Sequence, residues 1–298
     1  MGEPLLAVDG MSVSYWTAAG VVRAVEDVSF TISRGETFGL VGESGSGKTT
    51  LAMAVLRLVQ APGEVVAGRV VLDGTDLYQL EAEELRRARW RDISLVPQGA
   101  QNSLNPVMRV RDQVADAIVD HEGRLASRAL RSRVVELLAA VGLPEQVSDR
   151  FPHELSGGMQ QRVCIALAVA LKPKLIVADE PTSALDVVAQ RLVAETLTEA
   201  QGRLGAGMLL IGHDMGLQAQ MVDRLAVMYK GHLVEVGPAG SVFKAPAHPY
   251  TQHLISSVPP LHQRSAPNQP PYDTAKTGEF SVAACLRNVG PDHLAAVP

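Results

Sequence analysis

Eight consecutive residues, Gly42-Glu43-Ser44-Gly45-Ser46-Gly47-Lys48-Thr49, have the types and spacing of a phosphate cradle, G-x-x-x-x-G-K-[ST]. Glycines permit a tight curl that side chains would block. The curl turns successive N–H groups inward and makes an anion-binding concavity. A helix starting at about Gly47 and carrying Lys48 through Val59 adds its positive end. Lys48 supplies a cation for β- and γ-phosphates, and the Thr49 hydroxyl can ligate Mg²⁺. The chemistry is that of holding a nucleoside triphosphate.

A second chemical group ends an apolar run. Leu175-Ile176-Val177-Ala178 reads as a buried central strand, and Asp179-Glu180 follows it. Carboxylates at the C-terminal end of such a strand lie where α/β sheets bind ligands. Neighbouring strand residues point to opposite sides, which gives the two acids different tasks. Asp179 fits a Mg²⁺ shell, and Glu180 fits a group that orients or deprotonates an attacking water. A similar strand, Met208 to Ile211, runs into Gly212-His213-Asp214. A lone histidine is usually structural, but at that sheet edge His213 is a candidate γ-phosphate sensor. Ser156-Gly157-Gly158 opens a helix, with Ser156 as N-cap and exposed N–H groups behind it. It is either a plain helix cap or a second anion site without its own lysine. Tyr15, with Trp16 beside it, can stack on a base; by local pattern alone it is an ordinary core or surface aromatic.

The elements that must position these groups alternate strands and helices. Thr37 to Val41 is a short buried strand entering the loop, and Leu51, Val55, Leu56 and Leu58 form the apolar face of the following helix. Upstream, Leu5 to Val8 and Met11 to Tyr15 read as short strands around an Asp9-Gly10 turn, and Val21 to Ile32 as another strand. Ala67 to Gly74 is a strand ending in a turn, Glu81 to Arg91 a charged helix, and Ile93 to Val96 a strand closed by Pro97. Gln98 follows, then an exposed loop from Gly99 to Val110. Arg111 to His121, Ser127 to Val141 and Gly157 to Leu171 have helical periodicity with no strand between them, which marks a helical insertion. Ala226 to Tyr229 and Leu233 to Val236 flank a Lys230-Gly231 hairpin turn. Ser241 to Phe243 and Thr251 to Val258 are short helices separated by prolines. Residues 259–273, rich in Pro, Gln and Ser, read as a linker, and nothing periodic follows.

Composition sets limits. The net charge of −5 gives no basic field for nucleic acid. Two cysteines, Cys164 and Cys285, are too few for a disulfide framework or a zinc site. The N-terminal Met1-Gly2-Glu3-Pro4 lacks a charged-then-apolar leader, and the longest apolar run, Val163 to Leu171, is too short to span a bilayer. Any membrane role would come through a partner.

Taken together, the phosphate loop, Gln98, Leu155-Ser156-Gly157-Gly158-Met159-Gln160-Gln161-Arg162, the strand ending Asp179-Glu180 with Pro181-Thr182-Ser183-Ala184-Leu185-Asp186, and His213 resemble the ATP-binding subunit of ABC transporters over residues 5–258. The resemblance implies an α/β fold, a P-loop NTPase core with a central mostly parallel sheet and an antiparallel β subdomain. It carries an α-helical subdomain insertion and a C-terminal extension. The core would be 1–98 and 172–238, the glutamine loop and signature subdomain 99–171, and the extension and tail 239–298.

The family implies two subunits that sandwich two ATP molecules head to tail, each between one phosphate loop and the other subunit's signature. By position, Tyr15 looks like the adenine-stacking aromatic, and Gly42, Ser44, Gly45, Ser46, Gly47, Lys48, Thr49 and Thr50 like the nucleotide cradle. Ser156, Gly157 and Gly158 look like the facing signature and Asp186 like the dimer-contact aspartate. Thr49, Gln98 and Asp179 look like the Mg²⁺ group, with Glu180, His213 and Gln98 as the hydrolytic set. Implied partners are a second ATPase subunit, usually a paralogue though a self-dimer is open, two transmembrane permease subunits and, indirectly, an extracytoplasmic solute-binding protein. The implied place is peripheral, on the cytoplasmic face of the plasma membrane.

Ser103-Leu104-Asn105-Pro106, Met159 in the signature and Ala245 to Thr251, with His248-Pro249-Tyr250, are similar to dipeptide and oligopeptide importer ATPases. Gln98-Gly99-Ala100-Gln101-Asn102 looks more like members tied to oligosaccharide uptake, so both substrate classes stay open. Some members hold an iron–sulfur cluster through several C-terminal cysteines. Only Cys285 lies in this tail, and one thiolate holds no cubane, so no cluster is expected. The alternative is a soluble, non-transport ABC ATPase acting on ribosomes or DNA, or an accessory cassette of phosphonate metabolism. The single cassette, lack of sustained heptads and negative charge weigh against the ribosome or DNA reading.

Overall fold

The structure, a computed structural model, describes residues 3–257 and 286–297. The expected 259–273 linker and Cys285 lie outside the described residues. The chain divides into two compact units, one built mainly from Ile32–Glu36 and Val71–Ile211, the other mainly from Ala7–Thr31, Thr37–Val70 and the residues from Gly212 onward.

In the first unit the strands Ile93–Val96, Leu175–Asp179 and Gly207–Ile211 lie parallel, with Leu175–Asp179 in the middle. Every residue of Leu175–Asp179 and Gly207–Ile211 is buried, which is why both read as unbroken apolar runs rather than alternating ones. Parallel pairing brings strand ends to the same edge. Val96 is opposite Ala178, and Asp179 is opposite Ile211, so Gln98 and Glu180 both leave the sheet there. The insertion is helical as expected, with helices Val110–Glu122, Ser127–Ala140 and Gly157–Val169, and Val187–Leu204 follows the acidic strand. The segment after Gln98 departs from the expected open loop. Ala100–Ser103 forms a helical turn, and Ala100 and Leu104 are buried.

In the second unit Thr37–Val41 pairs in parallel with Arg224–Tyr229, which pairs antiparallel with His232–Pro238. Lys230 and Gly231 both take positive φ, +45° and +87°, the geometry of a tight hairpin turn. Beside these, the strands Gly20–Ile32, Leu6–Thr17 and Gly63–Leu72 lie in that order.

Three expectations change here. Leu6–Thr17 is one strand, not two around a turn. Gly10 absorbs the irregularity at φ +58°, and its N–H bonds Ser29 Oγ at 2.8 Å. The helix after the phosphate loop is Lys48–Val55 and stops short of Val59. Arg57 takes φ +54°, its N–H bonds Ala54 O at 2.9 Å and the Leu58 N–H bonds Met53 O at 2.7 Å. That is a Schellman ending with arginine where glycine usually stands, so no glycine marked it. Finally, the stretch after 273 is not featureless. Arg287–Gly290 and His293–Ala295 form a hairpin, and His293–Ala295 pairs antiparallel with His232–Pro238.

The C-terminal helices are Ala239–Lys244 and Pro249–Ser256. The second starts at Pro249, because proline suits the first helical position and His248 caps it.

Candidate active site

The phosphate loop, in the second unit, is held open by its glycines. A Cβ on Gly42 would lie 2.2 Å from Met228 O, and one on Gly47 would lie 2.2 Å from Ala24 O. Around Gly45 nothing comes within 4 Å, so the crown of the loop faces open space. Gly47 starts the helix Lys48–Val55 at φ +106°, and no side chain caps it. Lys48 is buried, and its Nζ donates to Gly42 O at 2.8 Å and Glu43 O at 2.8 Å. The chain thus provides a folded-back lysine under an open, backbone-lined crown. That donor set fits a phosphate chain.

Four further residues belong to this unit. Tyr15 is half-buried, its hydroxyl is 3.4 Å from Thr50 Oγ1, and a Cβ on Gly63 would meet its ring at 2.6 Å. Trp16 is more exposed, at 46%. His213 is exposed and precedes Asp214, whose Oδ1 accepts the Leu217 N–H at 3.0 Å and caps a short helix. Thr49 is exposed next to Lys48.

In the first unit the two acids are placed differently, Asp179 closing the strand and Glu180 just past it. Asp179 is buried at 2% exposure, and Glu180 is half-buried. Gln98 Nε2 donates to Glu180 Oε2 at 3.0 Å. Glu180 takes φ +44°, a left-handed conformation that non-glycine residues adopt at a cost of about 1 kcal/mol or more. Its neighbours fix it there: its N–H bonds Ile211 O at 3.0 Å and its carbonyl accepts the Ser183 N–H at 3.0 Å. Mg²⁺ is usually bound through one or two carboxylates plus substrate phosphates and waters. The buried Asp179 carboxylate suits such a shell.

Ser156 caps Gly157–Val169, its Oγ accepting the Met159 N–H at 3.4 Å. Gly157 and Gly158 are half-exposed. Asp186 is exposed and caps Val187–Leu204, accepting the Ala189 N–H at 2.9 Å. Both polar groups therefore sit at helix starts.

Sequence reasoning gave no role to two residues that the structure ties to these groups. Gln161, buried in the signature helix, accepts the Ala100 N–H at 3.3 Å and donates to Pro97 O at 3.3 Å. It spans the segment that carries Gln98. Its sequence signal was a place in the Gln160-Gln161-Arg162 run that opens into the apolar part of the helix. Tyr250 receives from the loop: the Glu43 N–H points to its hydroxyl at 2.9 Å. Burial pushes the Tyr250 phenol up to about 12, so it stays a neutral hydroxyl. The signal for it was the His-Pro-Tyr run, read only as a subfamily mark.

Residues 25–183 match the ABC transporter family, and residues 234–285 match the oligopeptide/dipeptide transporter C-terminal region. The oligopeptide transport ATP-binding protein OppD of Bacillus subtilis is 42% identical over 260 residues, covering 86% of this chain and 72% of that one. The dipeptide transport ATP-binding protein DppD of Escherichia coli is 42% identical over 261 residues, covering 87% and 80%. Among solved structures, a dimeric post-hydrolysis state of the ATP-binding cassette MJ0796 with ADP and Pi matches with a TM-score of 0.71 at 27% identity. It covers 78% of this chain and 98% of that one. With the cradle, signature and acidic strand end all in the family's order, this chain belongs to the ABC transporter ATPase family and carries the oligopeptide/dipeptide transporter C-terminal region.

Proposed function

We propose that this chain is the ATP-hydrolysing subunit of an importer for oligopeptides or dipeptides, acting on the cytoplasmic face of a membrane through two permease subunits. The relatives named as peptide transport subunits and the matched C-terminal region support peptides over oligosaccharides and over a soluble, non-transport role. Among the described residues no helix is long and apolar enough to cross a membrane, which accords with passage through separate subunits.

The Gln98–Glu180 hydrogen bond carries the catalytic reading. Lys48 and the loop N–H groups bind the β- and γ-phosphates, and Tyr15 meets the base. Mg²⁺, when bound, neutralises charge on the transferred phosphoryl group. Thr49, Gln98 and Asp179 are its proposed holders. Glu180 orients an attacking water or takes its proton, Gln98 fixes the carboxylate, and His213 contacts the γ-phosphate. Ser156, Gly157 and Gly158 serve the ATP of a partner ATPase subunit, with Asp186 at the contact.

The test is transport in proteoliposomes containing this chain, its partner ATPase and its permeases. Peptide-loaded binding protein should raise ATP hydrolysis and peptide uptake together. Stimulation by an oligosaccharide-loaded binding protein, with no response to peptides, would overturn the substrate assignment.

A further inference from the structure

We propose that Tyr250 is a positioning residue for the phosphate loop, and that the buried Glu235–His293 contact holds it in place, so that the C-terminal hairpin sets nucleotide affinity. The proposal rests on the reading of residues 42–49 as the nucleotide cradle.

The peptide unit joining Gly42 to Glu43 carries the argument. It is planar, so its N–H and its carbonyl turn together. Its N–H, on Glu43, points to the Tyr250 hydroxyl at 2.9 Å. Its carbonyl, on Gly42, accepts Lys48 Nζ at 2.8 Å. Gly42 lies at φ +154°, a setting that glycine leaves easily, so the unit needs an external anchor. Tyr250 provides it from a fully buried position, its ring 4.4 Å from that of Tyr229. Holding the N–H thus aims the carbonyl that receives the cradle lysine.

Tyr250 is itself held from the tail. It lies in the first turn of Pro249–Ser256, where its N–H bonds His248 Nδ1 at 3.1 Å. The His248 and Ala247 N–H groups bond the two oxygens of Glu235 at 2.9 and 2.8 Å. Glu235 is completely buried between Val234 and Val236, a placement tolerated only when its oxygens are satisfied. Its further partner is His293 Nε2 at 2.7 Å, from the C-terminal hairpin. His293 lies against Gly237, where an added Cβ would come within 2.8 Å of the ring. The chain of contacts runs His293, Glu235, His248, Tyr250, Glu43.

The experiment is titration of a fluorescent ATP analogue against the full chain, its Tyr250→Phe, His293→Ala and double variants, and Lys48→Ala. Tyr250→Phe keeps the ring and removes the acceptor; it should weaken binding about 3- to 10-fold, the effect of one hydrogen bond. In the assembled transporter the same variant should raise KM for ATP more than it lowers kcat. His293→Ala should weaken binding less, and the double variant should bind no more weakly than Tyr250→Phe. Unchanged affinity in Tyr250→Phe, with a lower melting temperature or without one, overturns the positioning role. Full additivity in the double variant overturns the link from the tail. If Lys48→Ala binds as tightly as the parent, the cradle reading itself fails, and that outcome is separate from both.

Discussion

Gln98 Nε2 stands 3.0 Å from Glu180 Oε2, joining the segment after one parallel strand to the acidic end of its neighbour. A glutamine that donates to the carboxylate fixes the rotamer of the group proposed to take a proton. Glu180→Gln keeps size and shape and removes the basic oxygen. It should lower ATP turnover by about 100-fold or more while ATP binding persists. Gln98→Ala should lower turnover less, because Glu180 remains but is no longer aimed. Phosphate release and nucleotide titration on the same samples distinguish the two. Parent-like turnover in Glu180→Gln would remove it from the base position.

Gln161 makes a second prediction. It bridges Pro97 O and the buried Ala100 N–H, on either side of Gln98. Gln161→Leu suits a buried helix position but leaves that N–H without its acceptor, which costs about 1–3 kcal/mol. The melting temperature should fall, and turnover should fall further than nucleotide affinity, because the displaced group is Gln98 and not the phosphate loop. Equal losses in affinity and turnover would count against this.

The groups of the proposed site stood out in the sequence because strong local chemistry coincided with strong pattern. An apolar strand running into Asp179-Glu180 and a Gly-rich run closing on Lys48-Thr49 each say both where the chain goes and what it can do there. The positive φ of Glu180 was not legible, since it comes from bonds to Ile211 and Ser183. The early helix end was hidden because Arg57 occupies a left-handed position that sequence reading reserves for glycine or asparagine. The tail hairpin was missed because Arg287–Gly290 and His293–Ala295 are too short for periodicity and form only against His232–Pro238. Tyr250 was visible as a residue, but its meaning depends on a contact with Glu43 across 207 positions.

Two of the loop glycines, Gly45 and Gly47, separate strain from clash. Gly45 has φ +81° and open space, so Gly45→Ala carries only the conformational cost of a left-handed alanine, about 1 kcal/mol. Gly47 has φ +106°, and its Cβ would strike the Ala24 carbonyl at 2.2 Å, backbone that cannot turn aside. Gly47→Ala should therefore abolish nucleotide binding and lower the melting temperature well beyond Gly45→Ala. Thermal unfolding with and without ATP measures both. Equal destabilisation by the two variants would show that the loop relaxes at Gly47.

The last prediction concerns acid stability. His248 is buried, and desolvation holds its imidazole below the ordinary value of 6.5, against an opposing pull from Glu235. Its Nδ1 accepts the Tyr250 N–H, a role that requires that nitrogen unprotonated. As pH falls through about 6.5, the unfolded chain binds a proton there before the native chain does. Stability from the neutral native histidine is thus complete above that value and is lost as pH falls toward the native pKa. His248→Asn keeps an N-cap acceptor and cannot titrate. Between about pH 7.5 and about pH 5.5 the parent's melting temperature should therefore drop more steeply than that of His248→Asn. Parallel slopes would show that His248 does not exchange its proton with unfolding.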